Sequence, residues 1–366
     1  MVDDVREVAI VHFTESLATG VLGVVRELAN DSAARGIPTS VVHGRRPQTP
    51  ADVRALFHAD VRLVEVEGFG GRSLRGALAA LRAARALRRE LRRRGTGVLH
   101  IHSTFAGVVG RPVAPLRGWR TFYSPHGYAF LNPAHPAAVR ATARMLERVL
   151  GRRATTLTAS ETEAQVARSE LGLRRVETVR NGIAAGPRWE QRPPAAGITR
   201  VVSVGRAAPQ RRPELYAEVA ACFSGREDVS FEWVGEGDLR PELERGGVTV
   251  TGWVTPDEVA EHLAGADIVL HLATFEGLPL ALLEAMRGGR AIVASDLPVL
   301  REVGEDVIEF IDDAASGAAA VERLIADPGL RARLGDAAAE RVRERYSVDG
   351  MTRAAYRAYG LEAETA

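Results

Sequence analysis

Residues 274–296 read TFEGLPLALLEAMRGGRAIVASD, and two glutamates in this stretch, Glu276 and Glu284, stand eight apart. Between them lie a glycine, a proline and the apolar residues Leu278, Leu280, Ala281, Leu282 and Leu283. A solvated helix would scatter its charges, and a buried one would exclude them. The preceding DIVLHLATF has the apolar run of a strand, and Gly277-Leu278-Pro279 reads as a turn into a helix with Pro279 at its first position. The first-turn N–H groups of such a helix favour an anion beyond the strand end. Glu284 then lies roughly 7–8 Å up the helix axis from Pro279. Two carboxylates flanking an anion site suit a sugar, a diphosphate and a ribose laid end to end.

Outward from this point, apolar strands alternate with helical segments. Strands are expected over 6–13, 38–43, 61–66, 97–102, 120–124 and 155–160, and helices over 20–35, 73–94, 105–115, 135–151 and 161–172. After ETVRNGIAAGPRWEQRPPAAG, rich in Gly and Pro, the pattern restarts through TRVVSVG, VSFEWVG, VTVTGWV, DIVLHL, AIVAS and VIEFI. This alternation predicts an α/β protein of two doubly wound, Rossmann-like parallel sheets. The expected division is 1–182 and 183–346, linked around 182–198, with a last helix at 347–360 in a segment (347–366) crossing back to the N-terminal domain. In such sheets ligands bind beyond the carboxyl ends of the strands.

Composition narrows the function. A chain of 366 residues is long for one core. No apolar run reaches the length needed to cross a bilayer, and the N-terminal MVDDVREVAIVHF does not read as a secretory signal. Cys222 is the sole cysteine, which fits a reducing, cytoplasmic setting. A net charge of +1 gives no case for nucleic acid. There is no lysine, so all 48 basic residues are arginines. That excludes Schiff-base, pyridoxal phosphate and Walker A lysine chemistry. Phosphate binding must rely on arginine, backbone N–H groups or helix N-termini.

The segment FEGLPLALLEAMRGGRAIVASD resembles the retaining GT-B glycosyltransferases of family four. VVSVGRAAPQRRPEL, VGEGDLRPEL, VTGWV and ETVRNGI follow the same pattern. So does IHSTFAGVVGR…YSPHGYAF…ASETE, closest in look to bacterial exopolysaccharide and capsule enzymes. The resemblance implies two Rossmann-like domains facing across a cleft, and transfer of a sugar from a nucleoside diphosphate sugar to a hydroxyl acceptor. It implies no cofactor; the nucleotide sugar is substrate, with a UDP-sugar favoured. Under it, Glu276 would accept hydrogen bonds from the donor sugar, beside the backbone of Gly277, Leu278, Pro279 and Leu280. Glu284 would hold the ribose, and Arg206 and Arg211 would clamp the diphosphate. His126 would face the sugar, Gly20 would admit the phosphates or acceptor, and Val254 would meet the base through its main chain. The family has Lys then Gly where this chain has Arg211 and Arg212, and Gly-Gly where it has Thr19-Gly20. Front-face displacement, with the leaving diphosphate helping to deprotonate the acceptor, is the implied mechanism. No Asp-x-Asp stands at a strand end to bind a metal, so turnover is expected to be metal-independent.

Other features have simpler readings. His100 and His102 share one side of a strand but lack further ligands for a metal. Ser160 and Glu163 fit a helix start. VGEG is too short for a dinucleotide fingerprint. The helix at 73–94 places Leu74, Leu78, Leu81, Ala84, Leu87 and Leu91 on one apolar face among arginines. It reads as a core-packed helix with a solvated basic face, in preference to one resting on an anionic membrane. A nucleotide-sugar 2-epimerase and a non-catalytic sugar-nucleotide-binding protein share the expected architecture. A glycosyltransferase acceptor could be a glycan, a lipid-linked intermediate or a small natural product.

Overall fold

The computed structural model describes residues 8–70, 76–114, 117–186, 188–189 and 197–361. The chain forms two compact units. The first comprises the chain up to Leu131, His135–Gly182 and the segment from Val348 onward; the second comprises Ile183–Ser347 with Asn132–Ala134.

In the first unit the elements run β1 (Ala9–Thr14), α1 (Thr19–Ala34), β2 (Thr39–His43), β3 (Arg62–Glu65), α2 (Gly76–Arg94) and β4 (Gly97–His102). They continue through α3 (Thr104–Gly110), β5 (Trp119–Ser124), α4 (Ala137–Leu150), β6 (Thr155–Thr158), α5 (Glu161–Ser169) and β7 (Val176–Thr178). The strands pair in parallel in the order β3-β2-β1-β4-β5-β6-β7. Every residue of β1, β2 and β4 is buried, as inner strands covered on both faces require.

The second unit holds β8 (Thr199–Val204), α6 (Pro213–Ala221), β9 (Val229–Val234), α7 (Arg240–Arg245), β10 (Thr249–Val250), α8 (Pro256–Ala264) and β11 (Ile268–His271). Then come α9 (Leu280–Arg287), β12 (Ala291–Ser295), α10 (Pro298–Gly304), β13 (Ile308–Ile311), α11 (Ala314–Ala326) and α12 (Pro328–Arg345). Its parallel sheet runs β10-β9-β8-β11-β12-β13. Trp233, Tyr216, Leu270 and Val293 lie in its core. The last helix, α13 (Val348–Tyr359), belongs to the first unit. There the Tyr356 hydroxyl donates to Ser32 Oγ at 2.9 Å.

In each sheet the winding direction reverses beside the first strand, between β1 and β4 and between β8 and β11. These reversals open a crevice at the strands' carboxyl ends.

The structure differs from the sequence expectations in places. β7 was not among the expected strands, and α3 ends at Gly110, short of the expected 115. Pro279 is the extended cap residue of α9 and not its first helical residue. The buried stripe of α2 is Ala79, Ala83, Leu87, Glu90 and Leu91, while Leu78 and Leu81 are 60% and 53% exposed. The expected apolar face is therefore rotated: its N-terminal leucines face outward, and Glu90 is accommodated inside by Ser40, Arg62, Arg93 and Arg94. Leu74 lies outside the described residues. No helix among the described residues is long and apolar enough to cross a membrane.

Candidate active site

In the second unit, the reversal between β8 and β11 brings together two loops that are 65 residues apart in sequence. One follows β8 and carries Arg206 and Arg211; the other follows β11 and carries Glu276. The Gln210 carbonyl accepts the Thr274 N–H at 2.9 Å, and the Gln210 side-chain amide donates to the Phe275 carbonyl at 3.3 Å. From behind, the buried Trp233 indole donates to the Gly205 carbonyl at 2.8 Å. Gly235 packs so closely on Gly205 that a Cβ there would lie 2.1 Å from the Gly205 oxygen.

Arg211 donates through Nη1 to Glu276 Oε1, and the same nitrogen lies 3.1 Å from His271 Nε2. The side chains of Arg211, Glu276 and His271 are 20%, 6% and 4% exposed. Burial pushes the Glu276 carboxyl up, but the Arg211 charge and the His271 contact outweigh it, so the group is held below its ordinary range. Burial keeps the His271 imidazole neutral, lowering its pKa against the pull of Glu276. A cation and an anion thus face each other beside a neutral ring. His271 was not singled out by the sequence reading; its signal was its place as the last residue of β11, five before Glu276.

Arg206 is placed differently. Its side chain is 55% exposed, and its ion pair with Asp238 is long, 3.6 Å. Arg211 is joined to Glu276, whereas Arg206 stands on the same loop with its guanidinium largely in solvent. Gly277, Leu278 and Pro279 are buried and lead into α9, whose N-terminus has no side-chain cap and no acidic residue in its first turn. First-turn N–H groups of such a helix have no partner within the helix. Leu280 and Glu284 lie half-buried on α9, with Glu284 one turn above Leu280. Val254 lies half-buried in the turn between β10 and α8.

In the first unit, Gly20 is exposed in the first turn of α1, where no side chain caps the helix. His126 follows β5 with a left-handed φ of 53°, unusual for a residue with a Cβ. The Gly127 N–H donates to Glu163 Oε1 at 2.8 Å, and the Ala159 N–H donates to Glu163 Oε2 at 2.9 Å. Ser160 caps α5 through the Glu163 N–H, as expected. The Glu163 carboxylate, read only as a helix-start signal, therefore fastens the turn that carries His126.

Behind His126 the rings of His12, His100 and His102 are packed together and fully buried. Each offers a ring nitrogen, all within 4.8 Å of one another. A metal would find little lone-pair density there. Both nitrogens of His100 contact hydroxyls, Tyr359 at 2.6 Å and Ser124 at 2.8 Å. Both nitrogens of His102 contact histidines, His12 at 3.0 Å and His126 at 3.0 Å. At the end of β1, Glu15 accepts the Ala106 N–H at 3.1 Å and pairs with Arg46 at 3.3 Å. Neither Glu15 nor His12 was singled out from sequence.

A model described as Glycosyltransferase Family 4 matches residues 18–185, and one described as Glycosyl transferases group 1 matches residues 198–327. The chain is 28% identical to an alpha-D-kanosaminyltransferase of Streptomyces kanamyceticus, over 89% of this chain and 95% of that protein. In fold it is similar to a sucrose-phosphate synthase from Thermosynechococcus elongatus, with a TM-score of 0.81 at 18% identity over 96% and 98% of the two chains. It is also similar to the Anabaena protein HepE in complex with UDP-glucose, with a TM-score of 0.75 at 17% identity over 96% and 100%. The chain is a glycosyltransferase of the family-4 type and has the GT-B fold.

Proposed function

We propose that the protein is a retaining glycosyltransferase that moves a sugar from a nucleoside diphosphate sugar, with UDP favoured as the nucleotide, to a hydroxyl acceptor without a metal ion. The observation that carries this reading is the Arg211–Glu276–His271 cluster beside the uncapped N-terminus of α9. An ionised, neutralised carboxylate is a good acceptor for sugar hydroxyls. The exposed Arg206 and the α9 N–H groups offer positive ends for the departing diphosphate. Arg211 uses Nη1 for Glu276 and keeps other N–H donors of its guanidinium for phosphate oxygens. Glu284 would take the ribose hydroxyls, Val254 the base, and His126 and Gly20 the ligand from the first unit. The HepE complex with UDP-glucose supports the choice of donor class. The relative's "alpha" designation is the configuration a retaining enzyme delivers from an α-linked donor.

No side chain needs to form a covalent intermediate in this scheme. The departing diphosphate takes the acceptor proton, while the protein positions both groups and stabilises the developing charge. The test is incubation with UDP-, GDP- and dTDP-sugars, with and without hydroxyl acceptors, in excess EDTA. Transfer in EDTA is expected, and Arg206→Ala or Arg211→Ala should lower the rate roughly 10²–10³-fold, the cost of one preorganised donor. Activity abolished by chelator and restored by magnesium would overturn the arginine-based scheme. Conversion of the donor without any acceptor would overturn transfer itself.

A further inference from the structure

The rings of His12, His102 and His126 are joined end to end. Nδ1 of His12 lies 3.0 Å from Nε2 of His102, and Nδ1 of His102 lies 3.0 Å from Nε2 of His126. The series starts inside β1, crosses β4 and ends in the turn after β5. A neutral imidazole carries one N–H and one lone pair. Each contact therefore needs one proton, and the polarity of one bond sets that of the next. Burial keeps the rings neutral: it lowers the pKa of His12 to about 3 and of His126 to about 4, and holds His102 well below 6.5.

Two polarities satisfy both contacts, and the buried end decides between them. Nε2 of His12 is buried with no hydrogen-bond partner among the described residues. If His126 donated inward, His12 would have to carry its proton on that nitrogen, leaving a donor unpaired in the core. If His12 donates outward from Nδ1, only a lone pair is left there. Orphaned buried N–H groups are the rarer of the two defects. The outward polarity protonates Nδ1 of all three rings.

We propose that His12 and His102 are positioning residues, forming a directional hydrogen-bond relay that fixes His126 as its Nδ1–H tautomer, so that the ring meets its ligand as a donor to an oxygen atom. His100 packs against the relay, 3.9 Å from His102 between ring centroids, but its own nitrogens are occupied by Tyr359 and Ser124. The positive φ of His126 and the anchoring of Gly127 by Glu163 hold the last ring in line. That the ligand oxygen belongs to a sugar donor rests on the function proposed above; the tautomer assignment does not.

Long-range ¹H–¹⁵N correlation spectra of histidine-labelled protein read each tautomer directly, with signals assigned from single-histidine variants. Protonated Nδ1 and bare Nε2 are expected on His12, His102 and His126. A protonated Nε2 on His126 would overturn the relay. His12→Asn places an amide donor where Nδ1–H stood and should preserve the His126 tautomer. His12→Leu removes the donor and should release His126 toward Nε2–H, with kcat/KM falling about three- to tenfold, the worth of one hydrogen bond. An unchanged His126 tautomer in His12→Leu would also overturn the proposal. If that variant does not fold, the wild-type and His12→Asn spectra still decide. The expected tautomers without sugar transfer would remove the function and leave the relay; transfer with the reverse tautomers would do the opposite.

Discussion

Arg212 precedes Pro213 at the start of α6 and adopts φ 48°, ψ 52°, the left-handed region. For a residue with a Cβ this conformation costs about 1–2 kcal/mol. Its Nη2 donates to the Asp312 carbonyl at 3.3 Å, which offsets a part. Glycine reaches the same conformation without strain but adds freedom to the unfolded chain, worth about 0.4–1 kcal/mol. Arg212→Gly should thus stabilise the second unit by up to about 1 kcal/mol, a rise of about 2–4 °C in its melting temperature. Arg212→Ala keeps the strain and loses the carbonyl contact, so it should melt below the wild type. Calorimetry that ranks the glycine variant no higher than the alanine one would sink the strain argument. The family resemblance marked this position as one where glycine is usual, and the backbone retains the glycine-like conformation with arginine in place. Glu276 and Arg211 were both singled out from the sequence, each for a ligand role of its own. Their pairing was not, because nothing in local spacing reports a contact across two loops. His12 and Glu163 escaped notice for the same reason: one looked like a strand residue, the other like part of a helix start.

Elements were more legible than contacts, because periodicity and turn residues are local. The inner strands β1, β2 and β4 announce themselves as apolar runs, whereas β7 has three residues and an exposed glutamate, too little pattern to separate it from a loop. The helix α2 shows where periodicity is ambiguous. Its alanines and leucines allow two neighbouring stripes, and the sheet takes the one with Ala79 and Ala83, whose small side chains permit close packing. Leu78 and Leu81 are left outside, next to Arg82, Arg85 and Arg89, which are also exposed. An outward face of leucine and arginine suits an anionic bilayer surface better than the fully solvated face expected from composition. The protein should bind phosphatidylserine vesicles at low salt, and binding should fall steeply toward physiological ionic strength, where screening acts beyond about 8–10 Å. Leu78→Ser with Leu81→Ser should weaken it further. Co-sedimentation showing equal binding to neutral vesicles, or none to anionic ones at low salt, would return α2 to a purely structural role.

At the scale of the whole molecule, the two units differ in how they store neutral imidazole. The first unit buries His12, His100 and His102 completely, and burial is the leading cause that lowers each pKa below 6.5. The second has His271, shifted in the same direction but hydrogen-bonded to ionised Glu276, which pulls it back up. For a base whose pKa is lower in the folded state, the unfolded chain binds more protons at any pH between the two values. Stability is then full above the unfolded pKa near 6.5 and declines as pH falls below it. Each such ring removes up to about 1.4 kcal/mol per pH unit. Those three rings together with His126, whose pKa burial lowers to about 4, should give a pH dependence near pH 5.5 corresponding to uptake of roughly three to four protons on unfolding. The first unit should therefore lose stability well before the second as pH is lowered from 7 to 5. Hydrogen exchange read by mass spectrometry can follow both at once, since β1 and β4 report on one unit and β8 and β11 on the other. Exchange in β1 and β4 should accelerate steeply below pH 6.5, beyond the intrinsic effect of pH on exchange chemistry, while β8 and β11 stay protected. His12→Asn, which removes one titrating ring and keeps its donor, should flatten that dependence by close to one proton. Earlier opening of β8 and β11, or the same slope in His12→Asn as in the wild type, would show that the buried histidines do not set the acid limit of the fold.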